Sequence, residues 1–369
     1  MFADSFRHKT VWLSGHTGFK GAWLAHWLLN LGAKVHGYAL APNTQPSLFD
    51  QLALDGRLTS ELADIRDFNA VKKSIAATQP DFVFHLAAQP LVRLSYEQPL
   101  ETYATNVMGT AHVLESLRAL TKPCAAVIVT TDKCYDNREW VYGYREEDPL
   151  GGHDPYSSSK AAAEIVTAAY NRSFFHDHPV KISTARAGNV IGGGDWALDR
   201  IVPDCVRALQ KGDSIPVRNK TATRPWQHVL EPLSGYLWLA ALLANPKFSK
   251  YDLAKSTPSF NFGPTHESNR TVAELVAEVL KHWPGKWEDK SDPKAVHEAR
   301  LLQLATDKAH SLLGWSPAWN FSDAIGRTIQ WYHQTSGKND ARAAQDLTTR
   351  QIDDYAQRAK QLAISWAVN

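Results

Sequence analysis

The chain has 369 residues, with 40 Lys and Arg against 38 Asp and Glu, and 44% hydrophobic content. That balance provides no basic field for a nucleic-acid backbone and no acidic tail, and the length suits one large domain or two. Three cysteines without a Cys-x-x-Cys pair argue against a disulfide framework or a zinc site, and the 15 histidines form no metal-spaced cluster. The polar start, Met1–Lys9, has no apolar signal region, and no apolar run reaches membrane-spanning length. The expectation is a cytoplasmic protein without a metal.

In chain order, short apolar runs alternate with longer amphipathic ones. Strands are expected at Thr10–Leu13, Lys34–Leu40, Phe82–Leu86, Ala125–Val129 and Lys181–Ala187. Helices are expected at Phe19–Leu31, Asp67–Thr78, Pro99–Leu120 and Tyr156–Asn171. Buried strands alternating with helices predict a doubly wound parallel sheet of the α/β class. After about residue 190 the rhythm breaks at Gly192-Gly193-Gly194. Thr221–Gln227 and Tyr251–Pro264 read as loops or short strands, and Leu230–Ala244, Thr271–His282, Thr306–Leu313, Phe321–His333 and Ala341–Lys360 as helices. The expected division is a dinucleotide-binding domain over 1–190, with 229–262 returning to it, and a smaller mixed α/β substrate lobe over most of 191–369.

Between the first strand and first helix lies Gly15-His-Thr17-Gly18-Phe19-Lys20-Gly21. Glycines there let the backbone approach a pyrophosphate, whose charge the helix N-terminus stabilises. Alone, this Gly-x-x-Gly-x-x-Gly spacing is equally a tight turn; its place after the first strand favours a dinucleotide. The second strand ends without an acid for a ribose, and no Arg or Lys lies between Val35 and Gln51 to clamp a 2′-phosphate, which favours NAD. Asp64, in Ala63-Asp64-Ile65, is a candidate for the adenine amino group or else a helix cap.

Two further segments carry chemistry. Tyr156 and Lys160 lie four apart at a helix start, on one face. A lysine cation beside a phenol favours the phenolate, so the tyrosine can act as a base. Thr130-Thr131-Asp132-Lys133 places an acid at the C-terminal edge of a strand, where open parallel sheets bind ligands.

With Gly15–Leu24, Thr131-Asp132-Lys133-Cys-Tyr135 and Gly188-Asn189-Val-Ile-Gly-Gly-Gly-Asp-Trp196, the chain resembles the nucleotide-sugar 4,6-dehydratases among the extended short-chain dehydrogenase/reductases. The resemblance runs from about Lys9 to Trp331 and implies a Rossmann-type fold holding NAD. In most members the third position of Thr-Asp-x is Glu; Lys133 resembles the branch whose substrate is CDP-glucose. By this resemblance Tyr156 deprotonates the sugar C4 hydroxyl while hydride leaves C4, Lys160 holds the nicotinamide ribose, Thr131 bonds the C4 oxygen and Asp132 protonates the departing C6 hydroxyl. Lys133 is either the neutral base for the C5 proton or a cation stabilising the enolate.

The resemblance also implies that Leu86, Ala87, Ala88 and Gln89 lie along NAD with Thr130 and Ile65, and that Asn106 supports the site through a water relay. Gln89, Arg93, Asn189, Arg200, Arg224, Asn261 and Arg300 are its candidates for the sugar and diphosphate. A homodimer or dimer of dimers is implied, built on Pro99–Leu120 and Tyr156–Asn171, and so is a product feeding deoxysugars of surface polysaccharide, the lipopolysaccharide O-antigen. An epimerase on the same fold keeps Tyr and Lys but needs no Asp-Lys pair. A non-catalytic dinucleotide-binding regulator usually lacks one of the two.

Overall fold

The structure is a computed structural model that describes residues 1–248, 253, 259–291, 301–337 and 340–369. Seven parallel strands form its centre: β1 Thr10–Ser14, β2 Lys34–Ala39, β3 Thr59–Leu62, β4 Phe82–His85, β5 Cys124–Val129, β6 Val180–Ala187 and β7 Ser259–Phe262. Their spatial order is β7-β6-β5-β4-β1-β2-β3. The winding therefore reverses between β1 and β4, and the crevice at that reversal opens at the C-terminal ends of the strands. β4 and β5 are buried throughout, which explains their unbroken apolar runs.

Helices cover both faces. The first half contributes α1 Phe19–Asn30, α2 Phe68–Thr78, α3 over 99–117 and α4 Pro155–Tyr170. α3 contains a π-helical turn at Ala104–Met108. α4 starts with Pro155 in its first turn, and the Asp154 carboxylate accepts from the Ser157 N–H at 2.9 Å, so the capping chemistry fixes where Tyr156 begins the helix. The second half contributes α5 Ile201–Lys211, α6 Leu230–Ala244, α7 Val272–His282, α8 Phe321–Thr335 and α9 Ala341–Gln361.

The expected helices of the first half match α1 to α4 within a few residues; α5 and the short helices Leu48–Gln51 and Val92–Glu97 were not expected. Within Tyr251–Pro264, expected as loops or short strands, Ser259–Phe262 is a short strand that pairs along β6 at the edge of the sheet. Thr306–Leu313, read as a helix, contains a π-helical turn at Ala309–Leu313. Every residue from Leu230 to Leu243 is buried, so α6 is covered on all sides and packs beneath β5 and β6. The core falls in two main parts, one on each side of the sheet. Among the described residues, no helix is long and apolar enough to cross a membrane.

Candidate active site at the strand ends

The glycine loop is shaped by close contacts. Gly15 has φ +77°, and a Cβ there would lie 2.8 Å from the Ala87 nitrogen. At Gly21 a Cβ would come within 2.0 Å of the Gly15 carbonyl oxygen, so only glycine lets α1 sit on the turn. Gly18 is the N-cap of α1 and offers no side chain to its first N–H groups. An uncapped helix start behind a bare loop is the shape a pyrophosphate needs, and the residues fit a dinucleotide. Thr17 ties the loop to the end of β2, its hydroxyl donating to the Leu40 carbonyl at 2.8 Å. The Phe19 ring packs near Gly192.

A directed chain of hydrogen bonds joins this loop to the Tyr156 helix. The Ser14 hydroxyl accepts the Leu86 and Ala87 N–H groups, both at 3.1 Å, so its own proton goes to His85 Nδ1 at 2.7 Å. His85 Nε2 then carries the ring proton and donates to Thr110 at 3.2 Å, and Thr110 donates to the Asn106 carbonyl at 2.7 Å. The Asn106 amide grips both backbone groups of Gln89, at 2.9 and 3.1 Å, and donates to Ser159 at 2.8 Å. Ser159 closes the chain on the Tyr156 carbonyl at 2.7 Å. The π turn of α3 is what points Asn106 across, a common use of such turns. Asn106 is thus a brace between Leu86–Gln89 and α4, both of its amide protons given to protein.

Thr131, Asp132 and Tyr156 converge. The Thr131 hydroxyl donates to Asp132 Oδ1 at 3.0 Å, accepts from the Lys133 N–H at 3.3 Å and lies near enough to the Tyr156 phenol to favour its ionisation. Asp132 is 2% exposed. Burial pushes its carboxyl above the usual range, against the pull of Lys133, the Thr131 hydroxyl, Arg224 and Lys20. A Cβ on Gly188 would lie 2.6 Å from Asp132 Oδ2, so the backbone after β6 closes directly over the acid. Burial pushes the Tyr156 phenol up to about 12, while the nearby Thr131 hydroxyl and Arg200 pull it down. Lys160 donates to the Val129 carbonyl at 3.2 Å, and burial lowers its amine to about 8. Lys133 sits in the short turn Asp132–Cys134, beside the acid.

Two participants escaped the sequence reading in whole or part. Lys20, expected as a cofactor-binding residue of the glycine loop, also reaches the Tyr236 hydroxyl at 3.5 Å, and burial lowers its amine to about 7 among Arg200, Asp132 and Lys160. Tyr236, from α6, is fully buried close to both Tyr156 and Asp132. No local motif marks it; the signal was a tyrosine within a mostly apolar helix, where its hydroxyl needs a polar partner.

The substrate candidates divide. Arg200 caps α5 beside the site and is bonded to Asp195 at 2.9 Å. Arg224 is 8% exposed and near Asp132, and Asn189 lies beside Gly188, its carbonyl accepting from the Gln227 N–H. Arg93 is farther out and pairs with Asp199 at 3.3 Å. Asn261 is a correction: it is fully buried, its Oδ1 accepts from Tyr135 and its Nδ2 donates to the Tyr144 and Ala305 carbonyls, leaving nothing for a sugar. Arg300 lies outside the described residues. Asp64 is held by Arg66 at 2.6 Å, Asp67 rather than Asp64 caps α2, and Ile65 packs on Gly109.

A family model described as GDP-mannose 4,6 dehydratase matches residues 13–328, and the chain belongs to that family. It is 47% identical over 356 residues to the CDP-glucose 4,6-dehydratase of Salmonella typhimurium, covering 94% of this chain and 96% of that protein. Among solved structures, the dTDP-glucose 4,6-dehydratase DesIV of Streptomyces venezuelae, with NAD and TYD bound, aligns with a TM-score of 0.74 and 24% identity over 89% of this chain and 98% of its own. The UDP-glucose 4-epimerase of Thermotoga maritima, with UDP-glucose, aligns with a TM-score of 0.73 and 20% identity over 88% and 99%. A dehydratase and an epimerase thus share this fold equally, and the reaction has to be read from the site.

Proposed function

We propose that this protein is an NAD-dependent lyase that converts CDP-glucose to CDP-4-keto-6-deoxyglucose. The observation that carries the reading is the buried cluster in which the Thr131 hydroxyl donates to the Asp132 carboxyl beside the Tyr156 phenol. It puts a base for one sugar carbon and an acid for another within one pocket wall, which an epimerase does not need. The 47% identity to a CDP-glucose 4,6-dehydratase supports the nucleotide.

Gly15, Gly18 and Gly21 with the start of α1 hold the diphosphate of the dinucleotide, and Leu86–Gln89 and Thr130 line its path. Bound NAD supplies the hydride acceptor for C4 and the donor for C6. Tyr156 takes the C4 hydroxyl proton, with Thr131 hydrogen-bonded to the same oxygen. Its phenol sits at about 12 in the protein alone, so ionisation relies on the Lys160 ammonium brought to bear when the ribose is bound. Once C4 is a ketone, the C5 proton is acidic, and Lys133 stands where it can receive it as an amine or steady the enolate as a cation. Asp132, whose carboxyl burial shifts towards the protonated form, delivers its proton to the C6 hydroxyl as water leaves. Arg200, Arg224 and Asn189 face the diphosphate and sugar.

The outer faces of α3 and α4 favour a homodimer. Leu100 is 82% exposed, Met108 51% and Ile165 56%, with Phe174 just past α4 at 45%, apolar residues that a second copy would cover. Buried free cysteines fit a cytoplasmic enzyme supplying deoxysugar precursors.

The test is incubation with NAD and, separately, CDP-, dTDP-, UDP- and GDP-hexoses, following the loss of one water by mass. Conversion of CDP-glucose to a 4-keto-6-deoxy product is expected. Turnover without loss of water would replace the reading with an epimerase, and dehydration of another nucleotide sugar would correct the substrate.

A further inference from the structure

The helix that carries Tyr156 and Lys160 continues the same face one turn further, to Glu164. The Glu164 side chain is 3% exposed. Thr130, just before Thr131, donates its hydroxyl to Glu164 Oε1. From β6, Thr184 and Arg186 both reach Oε2 at 2.8 Å. Arg186 is fixed in turn, donating to the Tyr135 hydroxyl at 2.7 Å and the Glu146 carbonyl at 3.0 Å. One carboxylate thus joins α4, the tip of β5 and β6.

We propose that Glu164 is a positioning residue for the reaction: it clamps the strand end presenting Thr131 and Asp132 to the helix presenting Tyr156 and Lys160, and it supplies the fixed negative charge beside the Lys160 ammonium. The proposal rests on the roles given above to Tyr156 and Lys160. Burial drives the Lys160 amine down to about 8, and Glu164 is the leading influence that opposes it. The other groups around Lys160 do not substitute. His85, at the end of β4, is held neutral by burial, its imidazole near 3. Lys20, at the start of α1, is itself an amine. Cys134, in the turn after β5, is a thiol that burial keeps protonated. Glu164 faces Arg186 and Cys134, and the Arg186 pair holds it below the usual carboxyl range despite burial. Without that charge the Lys160 proton leaves at lower pH, and the phenol of Tyr156 loses the cation that favours its ionisation.

The experiment compares Glu164→Gln, which keeps size and hydrogen bonding, with Glu164→Asp, which keeps charge and loses reach. Two profiles against pH are measured: NAD affinity, which needs no sugar, and kcat/KM on the nucleotide sugar that the wild type converts. Glu164→Gln is expected to lose about tenfold in kcat/KM at neutral pH and to move the alkaline limb of both profiles down by about one unit. Glu164→Asp is expected to slow turnover while leaving the limbs in place. Because the Gln leaves Arg186 without its carboxylate, the double change Glu164→Gln/Arg186→Gln, with folding verified by circular dichroism, must show the same displaced limbs. A folded variant lacking the charge whose limbs coincide with wild type overturns the proposal, since a merely structural role lowers rate without moving them. If no sugar nucleotide turns over, the proposed function fails, and the NAD profile still decides the role of Glu164.

Discussion

Two buried carboxylates sit close together at the strand ends, and their surroundings drive them in opposite directions. At the tip of β5, Asp132 has one hydroxyl donor and only distributed cations nearby, so burial dominates and its carboxyl is held above the usual range. Beneath it, Glu164 has two threonine hydroxyls and a bonded guanidinium, and stays ionised in a site that is just as dry. Depth is the same; the count of donors differs. The under-supplied acid is the one with a proton to give, and the saturated one can only hold its neighbours.

The strongest way to break this contrast is Asp132→Asn. If the acid delivers its proton to the C6 hydroxyl, dehydration falls by about a thousandfold, while oxidation at C4 continues. Steady-state product by mass, alongside the near-ultraviolet absorbance of reduced nicotinamide in a single turnover, separates the two steps. Equal loss of both would remove Asp132 from the acid role. Next in size is Gly188→Ala. The new Cβ would stand 2.6 Å from Asp132 Oδ2, displacing the carboxyl without touching Tyr156. A misplacement of that order costs up to about a hundredfold in kcat. Wild-type kcat with a normal melting temperature would show that the loop yields instead.

What was readable in the sequence follows the same line between local and distant. Gly15, Gly18 and Gly21, Thr131–Lys133 and the Tyr156–Lys160 pair each belong to one strand-to-loop or helix-start motif, where spacing alone dictates geometry. Tyr236 and Glu164 acquire meaning only because α6 lies under β5 and β6, and because Thr184 and Arg186 come from a strand reached long after α4. β7 was legible only as a loop or short strand for a related reason: Ser259–Phe262 is four residues long and is a strand because β6 offers it an edge. Asn261 misled because a polar residue in a buried strand suits a ligand and a structural node equally well. A smaller prediction follows. Asn261→Ala should leave the KM for the nucleotide sugar unchanged and cost about 1–3 kcal/mol of stability, since the Tyr135 hydroxyl and the Tyr144 and Ala305 carbonyls lose their partner. A raised KM with wild-type stability would return it to the substrate site.

The smallest effect is the most direct reading of the contrast, because it is thermodynamic and needs no substrate. The Asp132 carboxyl is raised above its ordinary 3.8, so the folded protein binds that proton more tightly than the unfolded chain. Relative to Asp132→Asn, the wild type therefore loses stability as pH rises above about 3.8, until the raised value is passed. Glu164 is lowered below its ordinary 4.5, so its contribution is fully present above that pH and lost as pH falls through the lower folded value. Melting temperatures measured from acid to neutral pH should then diverge: Asp132→Asn gains on the wild type as pH rises, by a few degrees or less, while Glu164→Gln falls behind it. Such a crossing would mean that stability is given up at the tip of β5, where a proton must move, and recovered on its floor, where nothing does. Parallel curves for the two variants would mean that the two carboxylates are equivalent, and the division of labour between acid and clamp would fail with them.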